Sequence, residues 1–464
     1  MRIAWIALGS VGCGDNARLE PVPELVRALD VDPDPDVVEI NLVAADGEVE
    51  YLAGRQTPVM GYRDGSIDGA AVIVPGPLIE AKLGDRLIVH VRNELSIPTT
   101  VHWHGLRLPI EMDGDPTVNG SVAPGASFDY DFVLRDTGFF WYHPHVDTDM
   151  QIEMGLQGPL VIRAPDEPIV ETERYFVLDD VDLAGDGSVR IEPSHEDLVF
   201  GRRGDTLLVN GKPPGAITTR GGVERWRIVN TSNGRFFDLH LDGIAMRVIG
   251  WDGGLIPEPY EVERLPIAPG ERYDVLVALG DRPRMLRTLG VARGHDGFDR
   301  GPLDLVYVEL AEDAAPPGAL PATTATIPRL PVSAGSAVRR FTLREEVDGP
   351  AGTIFFINDQ RWPLNTPIPV TLGDVEIWEI VNDEDGDHPM HVHGHFFQVL
   401  DRDGVPEPRL GWKDTIAIGA RSTVRAALQY EEPGKWMFHC QIPEHAERGM
   451  TADVEVTPGS SSTR

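Results

Sequence analysis

Apolar residues in this chain come in short β-branched or aromatic runs, broken by dispersed glycine and proline. That is the pattern of strands joined by turns. Three runs are alike: Gly84-Asp85-Arg86-Leu87-Ile88-Val89-His90-Val91-Arg92-Asn93, Gly222-Val223-Glu224-Arg225-Trp226-Arg227-Ile228-Val229-Asn230 and Gly373-Asp374-Val375-Glu376-Ile377-Trp378-Glu379-Ile380-Val381-Asn382. Each opens on a turn glycine, continues as a strand and closes on asparagine. The asparagines lie 137 and 152 positions apart, which is domain-sized and indicates tandem duplication instead of a solenoid. Pro124-Gly125, Pro269-Gly270 and Gly419-Ala420 give a second echo, each ahead of a later strand-like run. The expectation is an all-β protein of three tandem sandwich units over residues 36–165, 166–315 and 330–457. The Pro- and Ala-rich stretch 311–336 reads as the linker into the third unit. Helical periodicity is weak; only Pro23 to Leu29 reads as a short turn of helix.

A length of 464 residues is too great for one ordinary core and fits this division. The formal charge of −33 excludes nucleic-acid binding through a basic surface. It suits an exported, soluble protein and would also draw cations towards the surface. Of the two cysteines, Cys13 follows the apolar stretch Ile3 to Val11 behind Arg2. That resembles a bacterial lipoprotein signal, with Ser10 where leucine is usual. Residues 1–20 are therefore read as an export signal to the periplasm or cell envelope, with Cys13 as the candidate site of lipid attachment. No later apolar run is long enough to cross a bilayer.

The histidines change the picture most. Nine of fourteen fall in four short motifs: His102-Trp103-His104, His143-Pro144-His145, His388-Pro389-Met390-His391-Val392-His393, and His439-Cys440-Gln441 with His445. Successive strand side chains point to opposite faces, so a His-x-His pair offers two imidazoles to one side. Imidazole suits several metals. Cys440 narrows the choice, because a blue-copper site takes two histidines, a thiolate and a weak thioether. His388, Cys440, His445 and Met450 supply that set. On the same strand, His439 and residue 441 would face away from Cys440, towards other metals. Zinc in a hydrolase is the rival reading, and it explains neither Met450 nor four separate clusters. The scattered His90, His195, His240, His295 and His395 read as surface or satisfied core residues, and Trp103, Phe396 and Phe397 as packing. The middle unit offers only His240-Leu241-Asp242-Gly243 at the equivalent place, a copy that kept the scaffold without the metal.

These motifs, in this order, resemble the three-domain multicopper oxidases over about residues 36–457. The resemblance implies three cupredoxin-like Greek-key β-sandwiches and four copper ions. It also implies one-electron oxidation of a small donor and reduction of dioxygen to water. It assigns His388, Cys440, His445 and Met450 to type 1 copper, and His102 and His391 to type 2. His145, His393 and His439 would hold one type 3 ion, and His104 and His143 the other. The family's third ligand to that last ion falls at Gln441, where an amide oxygen is a weaker copper donor than imidazole. Asp113 matches the family's acidic residue near the cluster and is a candidate proton source. The glutamate that many bacterial relatives place after the type 1 histidine is replaced by Ala446; Glu444 and Glu447 read as solvated surface charges. The donor is expected to be a phenol, an aromatic amine or a low-valent metal ion, acted on by a monomer. The rival is a non-catalytic binding or envelope protein on the same scaffold with a degenerate cluster.

Overall fold

The computed structural model describes residues 19–294, 298–322, 325–350 and 352–459. Cys13 and His295 lie outside the described residues. About 52% of the chain is strand and 6% helix, so the structure is all-β.

The sequence repeat is also a structural repeat. Strands Arg86–Asn93, Gly215–Asn230 and Val375–Asn382 each run parallel to an earlier strand of their unit, Val37–Leu52, Thr172–Val181 and Val338–Gly349. Each also pairs antiparallel with a later one, Ser127–Val133, Arg272–Leu279 and Thr423–Gln429. The terminating asparagines do the same work three times. Their side-chain oxygens accept from the backbone N–H two residues on, at Leu95, Ser232 and Glu384. Their amides donate to loop carbonyls: Ile97 and Val122, Arg235 and Ile267, Gly386 and Ile418. All three are fully buried. Loss of one would strand buried carbonyls at about 1–3 kcal/mol each, which accounts for asparagine at every strand end.

One apolar core runs through the first and third units, from Val38 to Ile162 and from Phe341 to Val456, and takes in Phe236 and Ala268 of the middle unit. A second core, built around Trp226 and Val275, belongs to the middle unit. The histidine motifs lie on two strand pairs beside the shared core. His102–His104 pairs with Gly138–His143, setting His102 opposite His143. His388–Val392 lies between Thr415–Ile418 and Gly434–Cys440, setting His391 opposite both Thr415 and His439. Trp103 and Val392, between the histidines, turn into the core as alternation requires.

Two expectations need correction. Pro23 to Leu29 is extended, not helical: Val22 donates to Ala216 O, Ala28 to Leu78 O, and Leu78 back to Val26 O. Hydrogen bonds to neighbouring strands replace those a helical turn would have made. The linker also starts later than residue 311, because strand Leu303–Ala315 continues pairing with Gly215–Asn230 as far as Ala315.

Candidate metal centre

Cys440 closes strand Gly434–Cys440, and its sulfur faces one way into a fully buried pocket. It lies 3.8 Å from His388 Nδ1 and 3.6 Å from His445 Nδ1, and the two nitrogens are 3.2 Å apart. A point equidistant from the three atoms is about 2.1 Å from each, the bond length of a first-row ion to imidazole. Burial pushes the Cys440 thiol up to about 12; a bound cation would reverse that by favouring thiolate. Met450 is buried on the same loop, with Cys440 N donating to Met450 O and Met450 N to His445 O. Phe355 stacks on His445 at 4.1 Å. Both imidazoles are almost wholly covered, His388 at 0% exposure and His445 at 1%.

On the other side of Cys440, seven histidines converge. His102, His145 and His393 form one group whose donor atoms lie within 4.8 Å; His102, His104 and His391 form a second, and His391, His393 and His439 a third. His143 joins through its ring, 5.3 Å from both His102 and His145. The hydrogen bonds decide what the cluster is for. Six rings donate outward from one nitrogen: His102 to Asp113 O (2.9 Å), His143 to Pro144 O (3.0 Å), His391 to Asp414 O (3.0 Å), His439 to Cys440 O (2.8 Å), His393 to Asp113 Oδ2 (2.8 Å) and His104 to Asp414 Oδ1 (3.1 Å). The second nitrogens point inward. Among the described residues His102 Nε2, His104 Nδ1, His143 Nε2, His145 Nε2 and His391 Nε2 are buried without a hydrogen-bond partner. His393 Nε2 and His439 Nε2 face each other at 2.9 Å. Buried lone pairs left unsatisfied are costly unless a cation takes them. The donor set therefore fits metal ions.

Gln441 is part of this arrangement. It is 3% exposed, its Oε1 is buried and unpartnered among the described residues, and its backbone N–H donates to Pro389 O at 2.7 Å. A side chain on Gly270 would lie 2.6 Å from Gln441 Cγ and 3.1 Å from His104 Cε1. Gln441 and His104 thus share one wall of the cavity, and only glycine fits between them and the loop. Beside them opens a 440 Å³ cavity, lined by His143, His145, His439 and Gln441 and by the exposed carboxylates Asp147 and Glu447. It gives small molecules and water a way to the histidines.

Several contributors had no signal in the sequence. Asp414 is fully buried, and besides receiving His104 it accepts from Thr415 Oγ1 at 2.9 Å and pairs with Arg272 Nη1 at 2.6 Å. Burial works against its charge, but Arg272 holds the carboxyl well below the usual range. Gly105, with φ +90°, admits this pair: a side chain there would meet Arg272 Nη2 and Asp414 Oδ2. Asp113 is 1% exposed and grips two rings, His393 by its carboxylate and His102 by its carbonyl. Glu444 departs from expectation. It is fully buried, and burial pushes its carboxyl up to about 7. Glu447 is exposed, as expected. Trp103, Phe396, Phe397 and His395 are buried in packing roles, while His90 joins Glu39 and Asp129 at the surface.

Three models described as multicopper oxidase match residues 55–167, 184–285 and 336–460. "Multicopper oxidase MmcO" of Mycobacterium tuberculosis is 31% identical over 82% of this chain and 81% of its own. The chain belongs to the multicopper oxidases. Its cofactor is accordingly copper, its class oxidase, and its fold that of cupredoxins. A solved multicopper oxidase from Campylobacter jejuni, described as a metallo-oxidase, superposes with a TM-score of 0.82 at 26% identity, covering 96% of this chain and 98% of that one. "Cell division protein FtsP" of Proteus mirabilis is also similar, 29% identical over 83% of this chain and 84% of its own.

Burial lowers the ring pKa of His143, His145 and His393 well below 6.5, that of His439 to about 3 and of His395 to about 4. In the unfolded chain these rings take up protons near 6.5. Below that pH these rings bind more protons in the unfolded state than in the folded one, so their contribution to stability falls as pH falls. Buried carboxyls such as Glu444 act with the opposite sign, but they do so with and without metal. Relative to the copper-loaded form, in which bound rings take up no protons, copper-free protein is expected to lose thermal stability from about pH 6.5 towards 4. Melting temperatures of both forms across that range check this, and a difference between them that does not change with pH would contradict it.

Proposed function

We propose that this multicopper oxidase takes single electrons from a small donor at a mononuclear type 1 site and passes them to a three-ion cluster that reduces dioxygen to water. His388, Cys440, His445 and Met450 would hold the type 1 ion and His102 and His391 the type 2 ion. His145, His393 and His439 would hold one type 3 ion, and His104 and His143, with Gln441, the other. Copper supplies the one-electron chemistry and the dioxygen reduction; the chain supplies placement. The observation that carries the reading is the outward donation of six rings, which leaves lone pairs turned inward beside a buried thiol. Because Cys440 and His439 are neighbours in sequence and face opposite sites, the path between the sites is a few covalent bonds. Asp113 orients two rings and stands where a proton could be handed on. The repeat and the three matched segments support tandem units over 36–165, 166–315 and 330–457. The acidic composition and the N-terminal pattern support export to the periplasm or envelope.

With His388 and His445 covered and Phe355 stacked on the latter, a donor would deliver its electron through the cover, without touching an imidazole. That favours small cations or aromatic amines held at the surface over phenols bonded to an exposed histidine. The acidic run Asp383-Glu384-Asp385 is partly neutralised, since Arg421 pairs with Asp385 and bonds Asp383 O. Copper content per chain, read with oxygen uptake on a phenolic dye and on ferrous and cuprous ions, tests the reading. Four coppers, a blue band and turnover are expected. A blue protein with one copper and no oxygen uptake would instead favour the non-catalytic reading, which the likeness to FtsP keeps in view.

Gln441→His should replace the weak amide donor with imidazole. Affinity for the most weakly held copper is expected to rise about tenfold, the lower range for adjusting a metal's surroundings. Oxygen reduction should become faster at limiting copper. Copper retained on dialysis against a graded chelator measures this. Equal retention by both proteins would show that Gln441 costs the cluster nothing.

A further inference from the structure

Among the described residues the middle unit contributes no atom to any of the donor groups, yet two of its loops reach the mononuclear site. Glu444 sits on the five-residue helix Pro443–Glu447, immediately before His445. A helix of that length does not hold itself in place, and this one has no side-chain N-cap. Its position must come from what grips it. Glu444 Oε1 accepts from Asn233 Nδ2 at 3.0 Å and from Arg202 Nε at 3.3 Å, all three residues being at most 3% exposed. Asn233 Nδ2 also donates to Asp149 O at 2.8 Å, in the helix Thr148–Glu153 that follows His145. Arg202 is itself fixed by Ile191 O at 3.0 Å and by Arg190 O. The two loops are pressed together: a side chain on Gly201 would lie 2.5 Å from Ile442 Cγ2, and one on Gly234 2.5 Å from Gly201 C. Nothing larger than glycine fits at Gly201 without moving Ile442 of the metal-site loop, or at Gly234 without moving the backbone of Gly201 and Arg202.

We propose that Asn233 and Arg202 are positioning residues for the mononuclear site. They hold Glu444 and through it His445, and Asn233 ties that site to the helix behind His145. The unit that lost its own ligands thereby sets the geometry of its neighbours' ligands. Buried groups that orient a ligand from one layer out tune both affinity and redox behaviour. The proposal rests on the reading of His388, Cys440 and His445 as the type 1 site.

The test uses the copper-loaded full chain with Asn233→Ala, Glu444→Ala and Glu444→Gln. Readouts are the visible cysteine-to-copper band, the copper hyperfine splitting, the redox equilibrium with a one-electron mediator, and melting of the copper-free protein. Asn233→Ala and Glu444→Ala should weaken copper retention at the mononuclear site about tenfold and move the band, the splitting and the redox equilibrium. Glu444→Gln keeps the accepting oxygen and should restore most of the wild-type signature. If Asn233→Ala does not fold, Asn233→Ser and Arg202→Lys are read in the same way. Variants that melt earlier yet keep the wild-type band, splitting and redox equilibrium overturn the proposal, because the contacts would then be structural only. A wild-type protein without a blue band overturns the type 1 reading and this proposal together; a blue wild type with unmoved variants overturns the proposal alone.

Discussion

Cys440→Ser is expected to remove the blue band, lower bound copper by one ion per chain and abolish donor-driven oxygen uptake. The sulfur is the only soft anionic donor available to the pocket formed with His388 and His445 among the described residues. A serine hydroxyl at neutral pH stays protonated and is a poor donor to copper. The loss should exceed roughly 10³-fold, or about 4 kcal/mol of barrier at 1.36 kcal/mol per decade. The fold should survive, because the change is nearly isosteric. The cost is a buried hydroxyl in place of a thiol, about 1–3 kcal/mol at most. The seven-histidine cluster is untouched, so the remaining copper should stay bound and reducible by a strong chemical reductant. Separate measurements of copper content, visible absorption and oxygen uptake distinguish these effects. A Cys440→Ser protein that keeps its blue colour would place the mononuclear site elsewhere and undo the electron path described above.

Whether a residue's role could be read in the sequence depended on how local its physics is. The convergence of the candidate ligands was legible because His-x-His and His-Cys-x are strand motifs whose alternation sends both imidazoles to one side and the sulfur to the other; the structure groups Cys440 with His388 and His445, and His439 with His391 and His393. The three asparagines were legible as repeat markers. Their reason, the same bridging of loop carbonyls in each unit, appears only once the loops are folded. Asp414, Arg272, Asn233 and Arg202 left no trace, since each acts on a residue more than a hundred positions away. Glu444 was misread for the same reason. A carboxylate in a charged stretch is ordinarily solvated, whereas this one is buried with Asn233 and Arg202 of the middle unit as its partners. Pro23 to Leu29 was misread because its short apolar spacing fits a helical turn, whereas the hydrogen bonds on offer came from strands ending elsewhere in the chain.

The middle unit also governs the far side of the cluster, where Arg272→Leu is expected to have the largest effect on stability. Arg272 is 1% exposed, bonds both oxygens of Asp414, and donates to Phe139 O at 3.0 Å and Gly270 O at 3.1 Å. Around it lie the buried acids Asp252, Glu271 and Asp414, with Lys413 the other cation, held by Asp252 at 3.1 Å and Glu271 at 2.9 Å. Taking away the guanidinium leaves three buried carboxylates facing one lysine. Breaking a buried pair in this way costs about 3–5 kcal/mol. Asp414 would then take a proton or turn, and either change disturbs the oxygen that receives His104 Nε2. Copper retention should fall by about 10- to 100-fold, the usual cost of losing such support. Stability and orientation can be separated by a second change. Arg272→Leu with Asp414→Asn removes the unpaired charge and should recover much of the lost melting temperature. It should not recover copper retention, because a neutral amide is a weaker acceptor for the His104 ring than a carboxylate fixed by arginine. If the double variant regains both together, Arg272 serves the fold alone and the orientation of His104 does not depend on it.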